Sequence, residues 1–210
     1  MGKKTIITRE HPLILASASP RRAELLECAD IPFVVRSADV EEVSSADDPA
    51  EYAEEISRIK AEAVAERIYC DEGEETVVLG ADTVVAVQDK ILGKPKDENE
   101  AFEMLKKIQG GTHKVITGVT ICVCAPDGVK SRSFYETTAV SVYPVSDEQI
   151  KKYVVTGEPM DKAGAYAIQG LFSRYIRHIR GDYSNVVGLP IGRVFKELKN
   201  LGLENLNTYE

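Results

Sequence analysis

The stretch LILASASPRRAELL, Leu13 to Leu26, constrains the fold more than any other, because it passes from a strand pattern into a helix pattern with almost no linker. Leu13 to Ala16 is an apolar run of strand length. Ser19 then stands where a hydroxyl caps a helix, and Pro20 takes the first helical position, where a missing N–H costs nothing. The helix pattern continues to about Ala29. Arg21 and Arg22 fall in its first turn, at the partly positive end of the helix dipole, which costs a few tenths to about 1 kcal/mol. Something negative should compensate. The hydroxyls of Ser17 and Ser19, the free amides of the first turn and the two guanidiniums together suit a polyphosphate. A capped surface helix whose Arg21 pairs with Glu24 accounts for the same residues.

The alternation continues along the chain. Phe33 to Ser37 reads as a second strand, followed by the acidic connection ADVEEVSSADDP. Ala50 to Tyr69 is rich in helix formers. TVVLGADTVVAVQDKILGKP reads as two β segments interrupted at Gly80 to Thr83, with a turn near Gln88 to Lys90. Asp97 to Gln109 is helical and stopped by Gly110 and Gly111. Strand patterns at Lys114 to Ala125 and Ser131 to Val142 are joined by the turn-forming PDG. A helix starting at Ser146, a basic strand YIRHIRG and a helix opened by Pro190 towards Leu201 complete the order. This mixture predicts an α/β fold, a mixed sheet with flanking helices. At 210 residues the chain suits one domain, divided into two lobes around a cleft.

Composition removes several classes of function. The formal charge of −8 and pI of about 5.1 argue against duplex-DNA binding, which depends on a broad basic surface. No apolar run reaches the roughly 18 residues of a membrane span, and MGKKTIITREHP lacks the apolar segment of a secretory signal. Cytoplasmic residence is the expectation. Cys28, Cys70, Cys122 and Cys124 form no CxxC and have no histidines at zinc-finger spacing, so they read as reduced structural thiols. Cys122 and Cys124 share one strand face.

Three further clusters carry chemistry. In GADT, Asp82 sits at the strand interruption; a hairpin centred near Asp89 would bring it to the same sheet end as Lys94. An Asx-turn with a surface ion pair is the alternative. In DKAGAYAIQG, the Gln169 amide offers a donor and an acceptor together, complementary to the imide edge of uracil or thymine, unless it is buried satisfying loop backbone. In ADVEEV, Glu41 and Glu42 are hard oxygen ligands able to hold Mg²⁺ beside a phosphate, or simply solvated surface. His11, His113 and His178 make no triad, and neither a P-loop nor GxSxG is present.

Taken in order, SASPRRAELL, GADTVV, GKP, HKVITGV, DKAGAYAIQG and YSNVVGLP resemble the Maf family of nucleoside triphosphate pyrophosphatases from Leu13 to Leu201. The resemblance implies an elongated mixed α/β sheet with a central cleft, like the inosine triphosphatase group. It also implies hydrolysis of a nucleoside triphosphate to the monophosphate and pyrophosphate with a divalent cation, Mg²⁺ or Mn²⁺. By position it puts the catalytic base on Asp82 and substrate preference on Arg21, Thr83 and Gln169. Supporting roles fall on Ser17, Arg22, Lys60, Lys94, Asp161 and Lys162, with Glu42 and Asp82 towards the metal. The form of DKAGAYAIQG resembles the subgroup acting on dTTP and UTP. A homodimer is compatible with the resemblance. A nucleotide-binding regulator of cell division and a broader ITP-type pyrophosphatase are the alternatives. Two departures stand out: about a dozen residues before the first strand, and the bulky Leu171 to Arg174 after the QG.

Overall fold

The computed structural model describes residues 7–37, 39–72 and 75–203. A mixed sheet in the order β2-β1-β3-β5-β6-β7 forms its backbone, with β4 paired to β3. The strands are β1 (Leu13–Leu15), β2 (Phe33–Val35), β3 (Thr76–Val87), β4 (Lys90–Leu92), β5 (Thr112–Ala125), β6 (Gly128–Val142) and β7 (Ile176–Arg180). β1 runs parallel to β2 and β3, and the remaining pairs are antiparallel.

The helices are α1 (Pro20–Cys28), α2 (Pro49–Glu72), α3 (Glu98–Ile108), α4 (Asp147–Val154), α5 (Tyr183–Val187) and α6 (Ile191–Leu201). The expected elements are present with shifts of a few residues at their ends. Ser19 occupies the N-cap of α1, but its side chain makes no capping bond; its backbone N–H instead donates to Ser17 Oγ at 3.3 Å. Ser146 does cap α4, in a reciprocal box with Gln149. Three 3-10 turns between Glu158 and Tyr175, and the short α5, have no counterpart in the sequence reading.

Side-chain alternation along β3 and β5 assigns the two faces of the sheet. Val78, Val84, Ala86, Ile116, Cys122 and Cys124 pack under α2, whereas Val77, Leu79, Val85, Val115, Val119 and Ile121 face the other helices. α2 lies very close to the sheet because glycines stand beneath it. A Cβ on Gly118 would come within 2.2 Å of the Ala53 carbonyl, and one on Gly80 within 2.5 Å of the Ser57 carbonyl oxygen. Cys122 and Cys124 are buried free thiols on the α2 face, as the alternation predicts; Cys28 is free and exposed, and the Cys70 side chain lies outside the described residues. Residues 1–6 of the N-terminal extension are likewise outside them, while Ile7 is buried and its N–H donates to the Leu203 carbonyl at 2.7 Å.

One expectation needs correction. β3 is not interrupted at Gly80 to Thr83: it runs unbroken from Thr76 to Val87 and is paired with β5 throughout that stretch. What stops is the pairing on its other edge. The β1 ladder ends at Leu79 and the β4 ladder begins at Val85, so Gly80 to Val84 have a strand partner on one side only. The sheet carries a notch there. No helix among the described residues is long and apolar enough to cross a membrane.

Candidate active site

A cavity of about 590 Å³ opens at the notch, a size ordinary for small-molecule sites. The eleven residues to which the resemblance gives a role all line it: Ser17, Arg21, Arg22, Glu42, Lys60, Asp82, Thr83, Lys94, Asp161, Lys162 and Gln169. Glu41 does not. Because consecutive strand residues point to opposite faces, Asp82 emerges beside α2 and Thr83 beside α1 and α5. The bare edge between β1 and β4 lets both reach one cavity. The hairpin that places Val85 opposite Leu92 leaves Lys94 lining the same cavity as Asp82, as the turn position predicts, but the ammonium that Asp82 pairs with is that of Lys60.

On the α2 side, Lys60 Nζ donates to Asp82 Oδ1 at 2.7 Å and lies 2.9 Å from Glu42 Oε2. The lysine and Asp82 side chains are each 16% exposed, so this is a half-sheltered site and no surface ion pair. Two hard carboxylates thus converge on one cationic point. Among the described residues no group of three or more His, Cys, Asp or Glu side chains makes a ready metal cage. The donor set nevertheless fits Mg²⁺ or Mn²⁺, which commonly take one or two carboxylates and complete their shell with substrate phosphate and water.

On the other side, Arg22 acts as a strut. Its Nε donates to the Gly188 carbonyl at 2.8 Å, Nη1 to Ser17 Oγ at 2.8 Å and Nη2 to Thr83 Oγ1 at 3.1 Å. Burial lowers its pKa, Asp82 opposes that, and it remains a cation. One hydrogen on each terminal nitrogen is left over for a ligand. Thr83 also shares a 2.9 Å hydrogen bond with Thr117, its partner across the β3–β5 ladder. Thr117 donates to the Asn185 carbonyl, and Asn185 Nδ2 donates to the Val115 carbonyl and Thr138 Oγ1. α5 is thereby fastened to the sheet with Val186, Val187 and Gly188 facing the cavity.

Arg21 does not pair with Glu24; its guanidinium is 3.7 Å from Asp161, which also bonds Lys162. Burial alone would raise the Asp161 pKa, but the hydrogen bond and charge of Lys162, with Arg21 behind it, bring it below the ordinary carboxylate value. Gln169 is exposed within the cavity and, among the described residues, its amide has no partner, so the reading of a buried loop-bracing glutamine does not hold. Leu171 to Arg174 form a 3-10 turn that does not line the cavity; Phe172 packs behind Tyr166.

Sequence reasoning missed Asp39, Ser37, Tyr166 and Gly188 as lining residues. Asp39 lies in the same acidic string as Glu42 and could have been included. The Arg22–Gly188 contact spans 166 positions and leaves no local trace.

Five lining side chains are cationic, Arg21, Arg22, Lys60, Lys94 and Lys162, in a chain of net charge −8. Such a focus of positive charge with convergent carboxylates, hydroxyls and one free amide suits a polyanion with a polar, planar end. Over residues 12–201 the chain matches the family model described as Maf-like protein. A dTTP/UTP pyrophosphatase of Agathobacter rectalis is 48% identical over 201 residues, covering 91% of this chain and 98% of the relative. One of Koribacter versatilis is 50% identical over 192 residues, covering 91% and 95%, and one of Bacillus cytotoxicus 49% over 187 residues, covering 89% and 93%. A solved dITP/XTP pyrophosphatase of Mycobacterium abscessus covers 93% of this chain and 98% of its own at 12% identity and a TM-score of 0.40, too distant to bear on fold or substrate. Since the matched span contains the whole sheet and every residue lining the cavity, the chain belongs to the Maf-like protein family.

Proposed function

We propose that this protein is a nucleoside triphosphate pyrophosphatase that cleaves dTTP and UTP to the monophosphate and pyrophosphate. The observation that carries the reading is the convergence, in one cavity, of Asp82 held by Lys60, five cations and the Gln169 amide, which is unpartnered among the described residues. The names of the similar relatives agree with it. The cavity is read as the cleft between two lobes of a single domain.

In this reading Gln169 pairs with the pyrimidine imide, and Arg21, Lys94 and Lys162 hold the β- and γ-phosphates with the remaining donors of Arg22 and the Ser17 hydroxyl. Asp82 takes a proton from water as its oxygen attacks the α-phosphorus; the α–β anhydride bond breaks in line and pyrophosphate leaves with the pair of electrons. Lys60 orients Asp82, and Glu42 keeps Lys60 in place. Asp82 and Glu42 would hold a divalent cation, which supplies charge neutralisation to the phosphates. Thr83, braced by Arg22 and Thr117, sets the wall of the ribose passage through the notch.

Release of pyrophosphate and of dTMP from dTTP, measured with Mg²⁺ and with Mn²⁺, tests the proposal. Asp82→Asn should fold normally and lose turnover by at least about a hundredfold, the scale of a general base. Near-normal release by that variant would refute the assignment of Asp82.

A further inference from the structure

Hydrolysis makes no use of the structure behind the apolar end of the cavity. Gly164 and Ala165 are consecutive left-handed residues, with φ of +67° and +61°. For a fully buried alanine this conformation is unfavourable, and such outliers persist where their surroundings over-determine them. Gly164 is pressed on Val85, where a Cβ would meet the valine side chain at 2.8 Å. The next residue is Tyr166, which is 6% exposed and lines the cavity. Its hydroxyl is hydrogen-bonded to His113 Nε2 at 2.8 Å, with the two rings edge to face. Phe172, 1% exposed, packs against it at a centroid distance of 5.1 Å and is itself held by Tyr153 and Tyr175. Tyr166 is therefore fixed by its backbone, by its hydroxyl and by its ring. Val115, which stands two residues from His113 on the same face of β5, continues the surface together with Val85, Ile168, Val186 and Val187.

A mobile side chain at this place would yield to a larger base; one anchored three ways sets a limit. We propose that Tyr166 is the specificity-determining wall of the base subsite, that its fixed ring restricts the subsite to a single six-membered ring and so excludes purine nucleotides, and that His113 and Phe172 are its positioning residues. The inference rests on the pyrimidine-nucleotide reading above.

The test compares kcat/KM for dTTP and dITP, by pyrophosphate release, in the wild type, Tyr166→Ala and Tyr166→Phe. In Tyr166→Ala the dITP-to-dTTP ratio should rise at least about tenfold, and in Tyr166→Phe, which keeps the ring but loses His113, about two- to fivefold. A merely structural role would lower both nucleotides together and leave the ratio unmoved. Tyr166→Leu, which keeps an apolar body in the aromatic cluster, makes the same comparison if the alanine variant does not fold. A ratio within about twofold of wild type in every folded variant, or a wild type that accepts dITP as well as dTTP, overturns the proposal. A wild type that releases pyrophosphate from neither nucleotide refutes the hydrolytic reading instead, and calorimetric binding of dTMP and dIMP in the same proteins then decides. Preference for dTMP that collapses in the Tyr166 variants supports the wall; equal wild-type affinity for the two refutes it.

Discussion

His113 offers a prediction that depends on folding alone. It is 3% exposed, and burial pushes its pKa from the ordinary 6.5 down to about 4. Among the described residues its Nδ1 has no hydrogen-bond partner, so a proton added there would be a buried charge without an acceptor. The unfolded chain takes up a proton near pH 6.5, whereas the folded protein does so only near pH 4. The contribution is therefore complete above pH 6.5, is lost as the pH falls towards 4, and levels off below that. At about 1.36 kcal/mol for each pH unit separating the two states, the loss approaches 3 kcal/mol. Urea unfolding of the wild type and of His113→Gln, followed by circular dichroism between pH 7.5 and pH 4, isolates it, because the carboxylates that titrate in both proteins cancel in the difference. The stability advantage of the wild type over the variant should shrink by about 3 kcal/mol across this range, which for a chain of this size is a relative shift in Tm of roughly 6–12 °C. Parallel stability curves, agreeing within about 0.5 kcal/mol at every pH, would show that His113 titrates alike in the folded and unfolded states and would refute the reasoning.

Other outcomes follow from the packing and the site. Gly118→Ala should lower stability by at least the roughly 1–3 kcal/mol of an overpacked core, since the added Cβ meets the backbone of α2, and thermal unfolding measures it. Arg22→Lys keeps the charge but leaves Ser17, Thr83 and Gly188 without their shared donor; a loss of about 1–3 kcal/mol in urea unfolding and a raised KM for dTTP are expected. Gln169→Ala should weaken dTTP and UTP hydrolysis while leaving residual purine activity unchanged in the same pyrophosphate assay. In native protein, iodoacetamide followed by peptide mass mapping should label Cys28 and spare Cys122, which is buried and whose thiol is pushed up to about 12, by burial first and then by nearby carboxylates.

The outline of the fold was legible because its signals are local. Pro20 at a helix start, the Ser146 cap and the two glycines after α3 act within a turn of their own position. The candidate site residues were marked by motif, and the structure brings eleven of them, though not Glu41, to one cavity. Contacts between distant residues were not. GADT looks like a break because Gly80 and Asp82 weaken a strand pattern, yet eleven consecutive residue pairs with β5 carry β3 through it, and the glycine serves α2 instead. The reciprocal hold of Arg22 on β3 and α5, and of His113 on Tyr166, depends on side chains brought together by the finished sheet. The five-residue α5 is too short for its periodicity to register, and tertiary bonds through Asn185 keep it in place.

The notch in the sheet gives β3 the character of an indexing rail. Asp82 and Thr83 reach the same cavity from opposite faces only because they are neighbours on a strand of period two. Inserting or deleting a single residue between Gly80 and Asp82 would turn the carboxylate towards α1 and the hydroxyl towards α2, leaving Lys60 and Arg22 each facing the wrong partner. Loops around the cavity can change length without disturbing that phase. The tolerance of this architecture to insertion is thus set by parity along one strand, so that its chemistry is keyed to a count of residues as much as to their identity.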